Sequence, residues 1–199
     1  VVGGSDSQGI ETFGSLTIYN GTVKTSGQYN GFMVCNDDMI VYGGDITAIS
    51  TNGSALQVHN ANLVISGGSV DATGGGGLEG VLCQKEEKGG TITISGGDVT
   101  AKGGAGGGRG LEGETTISGG TVTAIGGDGV AEDGKRNGGA GYDGTLTVTG
   151  GTFTATGGAK ADEGSDGLGI YYDGYNNISL TLGTGIKYYE GDSANPDPV

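Results

Sequence analysis

The sequence predicts an all-β fold: a single-stranded, right-handed parallel β-helix of about seven coils, with three short strands per coil. Three observations predict it. Glycine supplies 49 of 199 residues, yet proline occurs only at Pro196 and Pro198 and glycine has no three-residue period, which excludes collagen. Val, Ile and Thr recur in short regular bursts, which disordered glycine-rich chains lack. Finally, the bursts flank a doublet that returns as Asn20-Gly21, Gly43-Gly44, Gly67-Gly68, Gly96-Gly97, Gly119-Gly120 and Gly150-Gly151, in steps of 23, 24, 29, 23 and 31 residues. A period in the low twenties with tolerated insertions marks a stacked repeat whose insertions fall on one edge. Right-handed winding is the default for parallel crossovers.

The first strand of the repeat precedes the doublet, in segments 16–25, 39–48, 63–72, 92–101, 115–124 and 146–155, with a degenerate seventh at 178–189. Side chains alternate faces along a strand. Leu16, Met39, Leu63, Ile92, Thr115, Leu146 and Ile178 form one inward column, and Ile18, Val41, Ile65, Ile94, Ile117, Val148 and Leu180 the next. The column between them is mostly Thr, so one face is buried. The doublet is the corner, since glycine reaches positive φ without penalty and Asn20 is the best substitute in the first coil. A second strand follows, with Val23, Ile46, Val70, Val99, Val122, Phe153 and Ile186 inward. It closes on a small residue, Thr25 and then Ala48, Ala72, Ala101, Ala124 and Ala155, which predicts a tight corner. The third strand is less regular, with candidates at 31–35, 54–59, 77–83, 109–113, 140–144 and 167–172. Stacked at about 4.8 Å, seven coils make a rod on the order of 30 Å long. Glycine breaks every candidate helix. The domain reading is an N-terminal cap over 1–13, the solenoid over 14–189 and a C-terminal linker over 190–199, implying a module of a longer multidomain protein.

Composition limits the partners. The net charge is −14 and the arginines, Arg109 and Arg136, lie outside any basic cluster, which argues against nucleic acid. No apolar run is long enough to insert in a membrane. No nucleophile elbow or P-loop occurs. His59, Asn60, Asp37 and Asp38 do not form the fixed carboxylate arrangement that sugar hydrolysis requires. The chain is therefore read as not an enzyme. Cys35, His59 and Cys83 are spaced 24 residues apart and can stack in one column. The column reads either as a Cys-His-Cys metal site or as ordinary strand-end residues; a disulfide across two coils is too long. Segment 138–146 partly matches a calcium-binding nonapeptide but occurs once. The acidic stretches 36–38, 126–139 and 157–169 read as solvated loops or calcium ligands. Outward threonines at 93, 116, 147 and at 100, 123, 154 make ladders on two different faces, which β-propensity explains better than ice binding.

Tyrosines gather towards the C-terminal coils. The candidate sugar-binding residues are Tyr142, Tyr171, Tyr172, Asp173 and Tyr175, since tyrosine joins a flat apolar face to a hydroxyl; the alternative is that the C-terminal rings, with Tyr188 and Tyr189, plug the open end.

The recurring ISGGTVTA unit and the GLEG loops at 77–80 and 110–113 resemble the carbohydrate-binding parallel β-helix domains of bacterial surface proteins, in the pectate-lyase-like superfamily. The resemblance covers about residues 14 to 189. It implies an extracellular, cell-surface or secreted module that binds polysaccharide, of the acidic plant type, or a host or cell-wall surface without catalysis, with calcium held by acids stacked along the coils. Here those acids are Glu79, Glu112 and Asp143, with Asp166 nearby, and the loops before them differ in length. The alternatives are a structural stalk or adhesin segment without a small ligand and, third, a polysaccharide lyase or hydrolase.

Overall fold

The computed structural model describes residues 1–84, 90–131 and 137–171, and the backbone of three later strands, Thr181–Leu182, Tyr189–Glu190 and Asp197–Pro198. Every described regular element is a strand, and all but the last pair run parallel in three sheets, one per face of a triangular solenoid. Face one stacks Ile10–Thr12, Phe32–Cys35, Leu56–His59, Val81–Gln84, Leu111–Glu112, Tyr142–Asp143 and Ile170–Tyr171. Face two stacks Leu16–Ile18, Met39–Val41, Leu63–Ile65, Thr91–Ile94, Glu114–Ile117, Leu146–Val148 and Thr181–Leu182. Face three stacks Thr22–Gly27, Asp45–Ser50, Ser69–Thr73, Asp98–Lys102, Thr121–Ile125 and Thr152–Thr156. Seven coils are the expected number.

The columns on faces two and three pair as the alternation dictates: Leu16, Met39, Leu63, Ile92, Thr115 and Leu146 follow one another rung by rung. The alanine corner is real, with Ala48, Ala72, Ala101 and Ala124 fully buried. Thr115, the polar exception in its column, is buried because its hydroxyl donates to the Gly113 carbonyl at 3.1 Å. In the seventh coil Leu182, rather than Leu180, is the register partner of Val148. That slip of two residues keeps the alternation intact, which is why periodicity could not detect it.

The doublet works differently from the expectation for Asn20. Positive φ belongs to the second glycine, from 98° at Gly21 to 78° at Gly151, and Asn20 is not among the positive-φ residues. The first glycine serves close approach instead: a Cβ at Gly67 would stand 2.7 Å from the Tyr42 carbonyl oxygen one rung below. Asn20 has no rung below it, so a side chain fits.

Part of the expected cap pairs with the solenoid strands. Ile10–Thr12, at the end of the expected cap, pairs with Phe32–Val34, and Val2 bridges to Ser26 on face three. Tyr189–Glu190, at the boundary between the expected solenoid and the expected linker, pairs antiparallel with Asp197–Pro198 within that linker. Between faces three and one, glycines at the roots of the loops build a layer of their own. The amides of Gly127, Gly139, Gly158 and Gly167 donate in turn to the carbonyls of Gly108, Gly127, Gly139 and Gly158, all at 2.8 to 2.9 Å. Backbone therefore packs against backbone where a side chain would intrude.

Candidate functional site

Face one carries the polar chemistry on its outer surface. Its inner positions, Phe32, Val34, Leu56, Val58, Val81, Leu111 and Tyr142, are fully buried. The outer column runs Glu11, Met33, Gln57, Leu82, Glu112, Asp143, Tyr171, each the register partner of the next. Beside it, at the corner with the glycine layer, backbone pairing aligns Glu79 with Arg109: the Gly80 amide donates to the Arg109 carbonyl at 3.0 Å. The two GLEG segments are thus offset by three residues. Glu79 lies before its strand and Glu112 within its own, so the two acids do not share one column.

This offset brings the acids to one guanidinium. Arg109 Nε lies 2.5 Å from Asp143 Oδ2, and Nη1 lies 3.3 Å from Glu112 Oε2 and 3.7 Å from Glu79 Oε1. Glu79 is buried and also accepts from the Ser54 hydroxyl at 2.8 Å. The Ser54 carbonyl accepts from the Asn30 amide at 3.0 Å, and that amide also donates to Gln57 at 2.9 Å. A polar seam therefore runs from the second coil to the sixth.

Three carboxylates against one cation leave excess negative charge. Burial raises the Glu112 carboxyl to about 7, opposed by Arg109 and reinforced by Glu79 and Asp143. Burial works to lower the Arg109 value, but Glu112, Asp143 and Glu79 hold it above its ordinary range. The Arg109 side chain is 40 % exposed, beside Glu112 and Asp143.

The expected calcium ligands are divided by this geometry. Glu79, Glu112 and Asp143 do converge, but on Arg109, whose guanidinium fills the place of a cation. Asp166 does not join them; it is exposed and accepts from the Lys160 amide at 2.9 Å in its own loop. No cluster of three or more His, Cys, Asp or Glu able to hold a metal occurs among the described residues. The Cys35-His59-Cys83 column is broken by one residue. His59 pairs with Cys35 on one side and Gln84 on the other, while Cys83 pairs with Val58. Cys83 turns inward, its thiol donating to the Ala61 carbonyl at 3.3 Å, and burial pushes it up to about 12.

The expected sugar-binding residues separate. Tyr142 cannot offer a ring to a ligand: it is fully buried, edge-on to Phe153, and its hydroxyl has the carbonyls of Gly113 and Thr145 within hydrogen-bonding distance as alternative acceptors, at 2.7 and 2.8 Å. Tyr171 is 38 % exposed and lies one rung beyond Asp143. Tyr172, Asp173 and Tyr175 lie outside the described residues. Arg109 is the residue that reading for basic clusters missed; its signal was the Glu three residues on, with acids on both neighbouring rungs.

A family model described as a beta helix repeat matches residues 63–80 and 92–106, the face-two and face-three strands of the third and fourth coils with the turns that follow. With three parallel sheets of stacked coils, that settles the architecture. The chain is a parallel β-helix. No curated protein and no solved structure matches it.

Proposed function

We propose that this β-helix is a non-catalytic module of the cell surface or secreted space that binds neutral polysaccharide on the outer surface of face one. One observation carries the reading: a part-exposed arginine side chain, two flanking carboxylates and an exposed tyrosine occupy three successive rungs, at Arg109 and Glu112, Asp143 and Tyr171. Such a strip supplies hydrogen-bond donors and acceptors for sugar hydroxyls and an aromatic surface for a ring. The net charge of −14 disfavours an acidic polymer, so the polysaccharide is neutral. Calcium is not needed here, because Arg109 already supplies the positive charge.

A glycan array with and without chelator tests this. Neutral glycans are expected to bind equally in both conditions, and Tyr171→Ala is expected to weaken them several-fold. Absence of binding to any glycan would favour the second reading, a rigid stalk, which the continuous glycine layer supports.

A further inference from the structure

We infer that face two carries a second surface for neutral polysaccharide, a track along the rod that begins on a stacked tyrosine pair and continues over hydroxyl columns. The inference rests on the polysaccharide-binding reading and adds a site to it. Tyr19 and Tyr42, in adjacent coils, are 74 % and 52 % exposed, and their rings stack with centroids 5.2 Å apart and planes 12° apart. The fold does not require them. The same place in the later coils is Ser66, Ser95, Ser118 and Thr149, aligned by successive backbone bonds from Tyr42 to Ile18, Ser66 to Val41, Ser95 to Ile65, Ser118 to Ile94 and Thr149 to Ile117.

The neighbouring outward column is Thr17, Ile40, Val64, Thr93, Thr116 and Thr147, paired rung by rung without interruption. No charged residue stands in either column, although the chain carries 9 basic and 23 acidic residues. Chance alone does not favour two full-length uncharged columns on the outside of so acidic a protein. The charges flanking this strip, Asp38 and Glu114 on one side and Asp45 and Asp98 on the other, stand at its margins. The first half of the strip joins Tyr19 and Tyr42 to the half-buried Ile40 and Val64. Its second half is hydroxyl throughout.

That division matches one ligand chemistry. A sugar ring has apolar C–H surfaces that pack on aromatic and aliphatic side chains and an equatorial rim of hydroxyls that pairs with Ser and Thr. The absence of charge fits an uncharged polymer and leaves no ion pairs to hold an acidic one. A protein partner would be expected to find apolar and arginine-rich contacts along the whole strip, not hydroxyls over half of it.

Affinity electrophoresis in gels containing hydroxyethyl cellulose tests the track. Three variants of the full chain are compared with the unmodified protein: Tyr19→Ala with Tyr42→Ala, Thr116→Glu on the hydroxyl half, and Tyr171→Ala on face one. Thermal melts establish that each is folded. Retention is expected to fall about tenfold in the double tyrosine variant, and to fall in Thr116→Glu, which places a charge in the strip. Unchanged retention in both, with loss in Tyr171→Ala, would overturn the track and leave the face-one reading standing. Failure of the unmodified protein to be retained by any neutral glycan would overturn both.

Discussion

Glu112 holds a proton near neutrality because it is partly buried among two other carboxylates with one arginine between them. The sign of the consequence follows from its value of about 7 against an ordinary 4.5. Below the ordinary value both folded and unfolded chains are protonated. Between the two values the folded chain keeps the proton and the unfolded chain gives it up, so stability falls as pH rises through this window. Glu112→Gln removes the titrating group. Melting temperature measured from pH 4 to 8 should fall less steeply with rising pH in that variant, which should gain most at pH 8; an unaltered profile would show that Glu112 titrates normally. Thr25 offers a second test at this scale. It occupies the alanine corner of the first coil, is 3 % exposed, and its hydroxyl has no hydrogen-bond partner. An unsatisfied buried hydroxyl costs about 1 kcal/mol or more. Thr25→Val keeps the volume and should stabilise the fold by about 1 kcal/mol in guanidinium titrations.

Among the elements, the glycine layer separates two kinds of glycine that look alike in the sequence. A Cβ at Gly139 would run into the carbonyl of Gly108, while at Gly14 nothing lies within 4 Å. Gly139→Ala should therefore destabilise by about 2 kcal/mol, as overpacking against immovable backbone does, and Gly14→Ala should stay within about 0.5 kcal/mol. Equal effects in chemical denaturation would mean that the layer yields. The same contrast explains what the sequence made legible. Faces two and three were readable because each coil repeats an inward Ile or Val at period two, so a wrong register would bury threonine. Face one was readable only in position, since its strands shorten to two residues at Leu111–Glu112 and Tyr142–Asp143. With so short an alternation, a slip of one or three residues leaves no hydrophobic penalty to notice. So Glu79, expected to stack on Glu112, neighbours Arg109 instead. Cys83 misses His59 for another reason: Phe32 pairs with Leu56, 24 residues on, but Leu56 pairs with Val81, 25 residues on, so the even 24-residue spacing of Cys35, His59 and Cys83 hides one extra residue. Tyr142 departs from its expected place for a related reason: a tyrosine with carbonyl acceptors inside the core is indistinguishable in sequence from one on the surface.

For the molecule as a whole, each coil contacts only its neighbours, so stability is a sum of coils and interfaces rather than one central core. An inner coil, such as that containing Leu63–Ile65 and Ser69–Thr73, is paired on both sides. In the first coil, Ile10–Thr12 pairs only with the coil after it, and Ile10, Leu16 and Val23 are only partly buried. Its face-three strand is covered by residues 1–3 through a few backbone bonds, Gly3 to Ser26 and Ser26 to Val1 among them. Opening the N-terminal coil should therefore cost less than opening an inner coil. In native-state hydrogen exchange, amides of Leu63–Ile65 and Thr91–Ile94 should be the slowest, those of Ile10–Thr12 and Leu16–Ile18 faster by at least an order of magnitude, and Thr25→Val should slow the latter group selectively. Uniform exchange across all coils would instead mean that the solenoid opens as a single unit, with coupling between coils stronger than any difference between its end and its middle.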